Sequence, residues 1–72
     1  MDKLDLHGIR HEDVPRVVIR FIEAHWDEEG EFEIITGNSW RMKEIVYDIL
    51  REYEIVKFFT SSFMGHIRFS FD

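Results

Sequence analysis

The sequence predicts a two-layer α/β (α+β) sandwich in the order β-α-β-α-β-β, with a mixed four-stranded sheet and two helices on one face. Three observations predict it. Apolar residues recur at helical spacing in two stretches, 14–26 and 42–53. Four short β-rich runs are present, the first and last of which alternate apolar and polar side chains. At 72 residues, 44% hydrophobic and 15% aromatic, the chain has room for one thin core, so 1–72 is read as a single domain.

The first strand is Leu4–Gly8, LDLHG. Strand side chains alternate, so Leu4 and Leu6 point into the core and Asp5 and His7 point out together. Gly8 ends the strand because it turns without a Cβ penalty. HEDVP then starts a helix: Glu12 and Asp13 suit the positive N-terminal end, and Pro15 is tolerated in a first turn. Val14, Val17, Val18, Phe21, Ile22 and His25 carry its apolar stripe to about Trp26. The acidic DEEGE loop ends it, and EFEIIT (31–36) is the second strand.

Gly37, Asn38 and Ser39 form a turn, with Asn38 or Ser39 capping the second helix. Met42, Ile45, Val46, Ile49, Leu50 and Tyr53 give that helix the clearest pattern in the chain. EIVKFFT (54–60) and HIRFSFD (66–72) follow as strands of a hairpin around SSFMG. Crossover helices make the first three strands mostly parallel and the last antiparallel. If the helices cover the face of Ile67, Phe69 and Phe71, then Asp5, His7, His66, Arg68 and Ser70 belong to the open face. Alternation does not order the strands, so which of these are neighbours stays open.

There is no cysteine, which excludes disulfides, thiolate nucleophiles and zinc–thiolate sites. No apolar run reaches the roughly 18 residues of a membrane span, and DKLDLHG lacks the pattern of a signal peptide. A soluble, cytoplasmic protein with no membrane partner is expected. The net charge of −6 runs against the basic footprint of most nucleic-acid binders. Charge is unevenly placed, however. Asp27, Glu28, Glu29, Glu31 and Glu33 surround Gly30, whereas Arg10, Arg16, Arg41, Lys43, Lys57 and Arg68 lie in or near the segments that carry the candidate site.

Asp5 and His7 are the candidate catalytic pair. An imidazole exchanges protons near neutral pH, as a general base or acid must, and a neighbouring carboxylate orients the ring. The plainer alternative is a strand-end histidine bonded to backbone. Gly37, Asn38 and Ser39 open a helix, whose free N–H groups favour an anion, and Arg41 and Lys43 strengthen phosphate binding there. Arg68 and His66 share a strand face that either grips phosphate or is merely solvated. Gly8, Arg10 and His11 line the rim of the first motif. Trp40 either stacks on a base or packs down on the first helix. His25, on the apolar stripe, is a packing residue. No metal-ligand spacing stands out, and neither metal nor cofactor is expected.

With these residues in place, the chain resembles the small MutS-related (Smr) domain family. The match is LDLHG at Leu4–Gly8, an acid-rich start to the first helix, an apolar strand ending in Thr36-Gly37 before an amphipathic helix, and a final hydrophobic strand preceded by Gly65. It spans nearly the whole chain. The resemblance implies a two-layer fold like the C-terminal domain of a translation initiation factor. It also implies association with nucleic acid, DNA or RNA, since the family includes DNA-nicking and RNA-cleaving endonucleases. The working positions it implies here are Asp5, His7, Gly8 and Gly37. The family's second motif usually reads Thr or His, then Gly-Lys-Gly. This chain has Thr36-Gly37-Asn38-Ser39, without the lysine or the second glycine. That departure supports an alternative: a non-catalytic protein-interaction module that has lost the phosphate loop, with Phe58, Phe59, Phe63 and Met64 as a contact patch.

Overall fold

Local pattern and long-range pairing can be compared directly in the computed structural model, which describes residues 2–53, 56–61 and 65–71. The elements are β1 (Lys3–Asp5), a 3₁₀ turn (His11–Asp13), α1 (Val14–Ala24), β2 (Glu31–Ile35), α2 (Trp40–Arg51), β3 (Val56–Ser61) and β4 (His66–Phe71). Two helices and a mixed sheet make the small α+β architecture that the sequence predicts. The strand order is β1-β2-β4-β3. β1 runs parallel to β2, with Lys3 opposite Glu33 and Asp5 opposite Ile35. β4 inserts antiparallel beside β2, placing Arg68 opposite Glu33 and His66 opposite Ile35. β3 lies along the outer side of β4, with Val56 opposite Phe71 and Ser61 opposite His66.

The apolar stripes meet in one core. α1 contributes Val14, Val18 and Ile22, and α2 contributes Met42, Val46, Ile49 and Leu50. The sheet supplies Phe32 and Ile34 from β2, Ile67 and Phe69 from β4, and Leu6 from beyond β1. Each buried aliphatic or aromatic side chain of this kind contributes about 1.5–3 kcal/mol. Both helices therefore cover the face carrying Phe32, Ile34, Ile67 and Phe69. Lys3, Asp5, Glu31, Glu33, His66 and Arg68 alternate onto the other face.

Two boundaries differ from expectation for a local reason. The first strand ends at Asp5 rather than Gly8. Asp5 Oδ1 accepts the backbone N–H of His7 at 2.9 Å, a side-chain-to-backbone bond two residues ahead that turns the chain. Leu6 N–H still reaches Ile35 O at 3.0 Å, and Ile9 N–H closes the turn on Leu6 O at 3.1 Å. His7 thus leaves the strand through a turn built by Asp5, not by simple alternation. The first helix opens with the 3₁₀ turn and stops at Ala24, two residues early, as the chain enters a left-handed residue at Asp27 (φ 61°), a conformation aspartate tolerates better than most. β3 starts at Val56, and residues 54 and 55 of its expected run lie outside the described residues. The same holds for the SSFMG loop from 62 to 64, and for the side chains of Phe58 and Phe59. The proposed aromatic patch is therefore outside the described structure.

Candidate functional site

Because β1 and β2 are parallel, the turns that leave their C-terminal ends emerge side by side, the usual place for ligand chemistry beside a parallel pair. The first turn carries Asp5 and His7. His7 Nδ1 lies 2.7 Å from the same Asp5 Oδ1 that accepts its backbone N–H. The carboxyl of Asp5 is held below the usual carboxylate range, first by that backbone N–H and then by the imidazole. An ionised carboxylate only accepts, so Nδ1 carries the hydrogen and Nε2 of the neutral ring presents its lone pair. Both side chains are well exposed, 70% for His7 and 59% for Asp5.

The second turn is Thr36–Ser39. A Cβ built on Gly37 would stand 3.4 Å from His7 Nε2, so the free ring nitrogen faces the glycine turn directly. Gly37 adopts φ 68°, which favours glycine. Gly65, just before β4, clamps this turn. Its carbonyl accepts from Thr36 N–H at 2.8 Å and Gly37 N–H at 3.1 Å, and from the Thr36 hydroxyl at 3.0 Å. The hydroxyl of Ser39 accepts Met42 N–H at 3.1 Å, which makes Ser39 rather than Asn38 the N-cap of α2. Asn38 is exposed beside it, and α2 begins three residues after the glycine that faces the imidazole.

The remaining predicted residues divide into three groups. Gly8 (φ 80°) has open space around it. Arg10 and His11 are exposed on the following segment, with Arg10 3.7 Å from Glu12. Arg41 is exposed at the start of α2, but Lys43 is only 5% exposed. Its ammonium lies over the Trp40 ring, 5.6 Å from the centroid, so it backs the indole instead of meeting solvent as a phosphate ligand. Trp40 itself is 66% exposed and does not pack down on the first helix.

His66 and Arg68 do share the open face, and they converge on Glu33, an acid of the second strand that the sequence reading counted only in the acidic run around Gly30. Glu33 has only 3% of its side chain exposed. His66 Nδ1 lies 2.7 Å from its Oε1, Arg68 Nε 3.5 Å from the same oxygen, and Lys3 Nζ 3.7 Å from Oε2. These partners, above all the His66 hydrogen bond, hold the Glu33 carboxyl below its ordinary range despite burial. Much of the local positive charge is thus matched within the sheet. His66 sits two strands from Asp5 in the same row, about 10 Å away at ordinary strand spacing. The missed residues are Glu33 and Lys3. Only strand register could have found them, since each matters through a partner on another strand.

His25 packs as expected, with ring centroids 4.8 Å from Phe21 and 4.9 Å from Phe32. Its Nδ1 also lies 3.1 Å from Glu28 and 3.3 Å from Asp2. Asp2, His25 and Glu28 offer donor atoms within 4.8 Å of one another, the one such metal-competent set among the described residues. It sits where β1 begins, at the opposite end of that strand from His7. No described helix is long and apolar enough to cross a membrane.

A family model described as the Smr domain matches residues 4–67 of the 72-residue chain. No curated protein and no solved structure matches it.

Proposed function

The chain belongs to the Smr domain family, and from that premise we propose a nucleic-acid-binding domain that cleaves phosphodiester bonds in RNA or DNA, with Asp5 and His7 as the proton-transferring pair. The observation that carries the reading is the 2.7 Å Asp5–His7 contact beside the Gly37 turn. In this mechanism the backbone turn and the carboxylate of Asp5 fix the ring and its tautomer. Nε2 takes a proton from the attacking oxygen, a water or a ribose 2′-hydroxyl, as that oxygen bonds to phosphorus. The bond to the leaving oxygen breaks, and the imidazolium returns the proton to it. Asp5 stabilises the imidazolium while it exists. The Gly37–Ser39 turn and the α2 N-terminus lie against the phosphate, with Arg41 supplying the charge that the missing loop lysine supplies elsewhere in the family.

The test is incubation of labelled single- and double-stranded RNA and DNA with wild type, His7→Ala and Asp5→Asn at several salt concentrations. Cleavage is expected with wild type, lost in His7→Ala and reduced in Asp5→Asn, with binding that weakens as salt rises. His7 is exposed, so its removal leaves stability within about 0.5 kcal/mol, and a folded but inactive variant isolates the chemistry. A folded wild type that cleaves nothing removes the enzymatic half.

A second reading is supported by specific observations. The net charge of −6, the absent loop lysine and the engagement of Lys3, His66 and Arg68 by Glu33 all suit a non-catalytic module that docks a protein. Salt-sensitive nucleic-acid binding at physiological ionic strength counts against it.

A further inference from the structure

Among the described residues Trp40 is the large aromatic next to the candidate site, and its surroundings differ from those of the other tryptophan. Trp26 packs on Tyr53 and Phe71, with ring centroids 5.7 and 5.3 Å away. Trp40 is 66% exposed, and its neighbours Asn38, Arg41 and Glu44 are exposed and polar. An exposed indole whose described neighbours are polar is a poor centre for a hydrophobic protein interface, whose anchors are ringed by other apolar contacts. The ammonium of Lys43 lies over the ring at 5.6 Å. A cation in that position attracts the ring's π-electrons and holds the indole in place. One ammonium covers one face of a ring, which leaves the other for a planar partner.

Position supplies the rest. Trp40 is the first residue of α2, three residues after the Gly37 that faces His7 Nε2. Three residues reach at most about 11 Å, a span covered by roughly three stacked nucleotides of one strand. We propose that Trp40 is a base-stacking platform, so that this domain takes nucleic acid with an unpaired base beside the bond held at His7. Bases inside a duplex are already stacked on their neighbours, so only an unpaired or splayed base offers a face to the indole. This rests on the nucleic-acid reading above and narrows its substrate class to single strands, loops or flaps.

The test is equilibrium binding at low salt of wild type, Trp40→Ala and Trp40→Tyr to three labelled probes of the same length: a single strand, its full duplex, and a single strand with abasic positions. For wild type, the single strand is expected to bind tightest and the abasic strand to lose most of that advantage. Trp40→Ala should weaken single-strand binding roughly 5- to 150-fold, the range for one stacked base, and leave the duplex nearly unchanged. Trp40→Tyr should recover much of the loss, because it keeps a stacking ring. Circular dichroism checks that each variant is folded. Equal binding of the single strand by Trp40→Ala and wild type overturns the stacking role. So does an equal loss on all three probes, which points to charge or fold instead of stacking. If folded wild type binds none of the probes, the nucleic-acid reading falls, and the platform with it.

Discussion

Replacing Gly65 with alanine tests the clamp that sets the candidate site. Two costs can be separated. Gly65 has φ 63°, and an added Cβ would lie 2.7 Å from Gly37 O and 2.8 Å from Gly37 C and Cα. The left-handed conformation alone costs an alanine about 1–2 kcal/mol. The contact adds to this, because the opposing atoms are backbone, and carbon contacts are comfortable only near 3.5–4.0 Å. Relieving it means moving one turn by close to 1 Å, at about 1–3 kcal/mol for overpacking. The total is about 2–5 kcal/mol. Gly8→Ala is the control: Gly8 has φ 80° but nothing within 4 Å of its Cβ position, so only the backbone cost of about 1–2 kcal/mol applies. Urea unfolding followed by circular dichroism should show Gly65→Ala less stable than Gly8→Ala by about 1–3 kcal/mol, roughly 4–24 °C in Tm for a domain of this size. The Gly65 carbonyl holds Thr36 N–H and Gly37 N–H. The same variant should therefore move Gly37 away from His7 and lose binding or cleavage even under conditions where it is folded. Equal stability losses for the two variants would refute the close-approach argument.

Two further outcomes follow from the caps and the buried acid. Ser39→Ala removes the hydroxyl that accepts Met42 N–H and should cost about 1 kcal/mol in urea or thermal unfolding, whereas Ser39→Asp, which keeps a capping oxygen, should cost far less. Glu33 sets a pH dependence. Its folded carboxyl lies below the ordinary value, chiefly through His66, so the stabilisation is complete above the ordinary glutamate range and is lost as pH falls through the depressed folded value. Unfolding midpoints taken from pH 7 down to pH 3 should therefore fall more steeply for wild type than for Glu33→Gln, and parallel curves would show that the carboxylate contributes no such linkage.

Much of this protein was legible along the chain, because helical and strand periodicity are properties of a segment and its immediate neighbours. The two helices, the helix-covered face with Ile67 and Phe69, and the placement of His66 and Arg68 on the opposite face followed from spacing alone. Ser39 could be narrowed to one of two caps for the same reason. The LDLHG and Thr36-Gly37 motifs were also local, and they identified the family that the matched residues 4–67 show. Asp5 and His7 lie in contact, but not by the alternation from which they were read as neighbours. Their contact comes from a turn that Asp5 makes with the His7 backbone, a competing local bond that simple alternation does not include.

What the chain could not state by itself was who meets whom across the fold. Pairing of β2 with β1 on one side and β4 on the other brings Lys3, His66 and Arg68 around Glu33 and turns a member of an acidic run into a buried, charge-matched acid. The same pairings press Gly65 onto Gly37 and set Gly37 against His7. These contacts join residues up to 35 positions apart, and they depend on strand order and register, which many sequences with the same alternation would leave undetermined. Periodicity specifies which side of an element is apolar. Only the packed sheet decides which polar side chains share the other side.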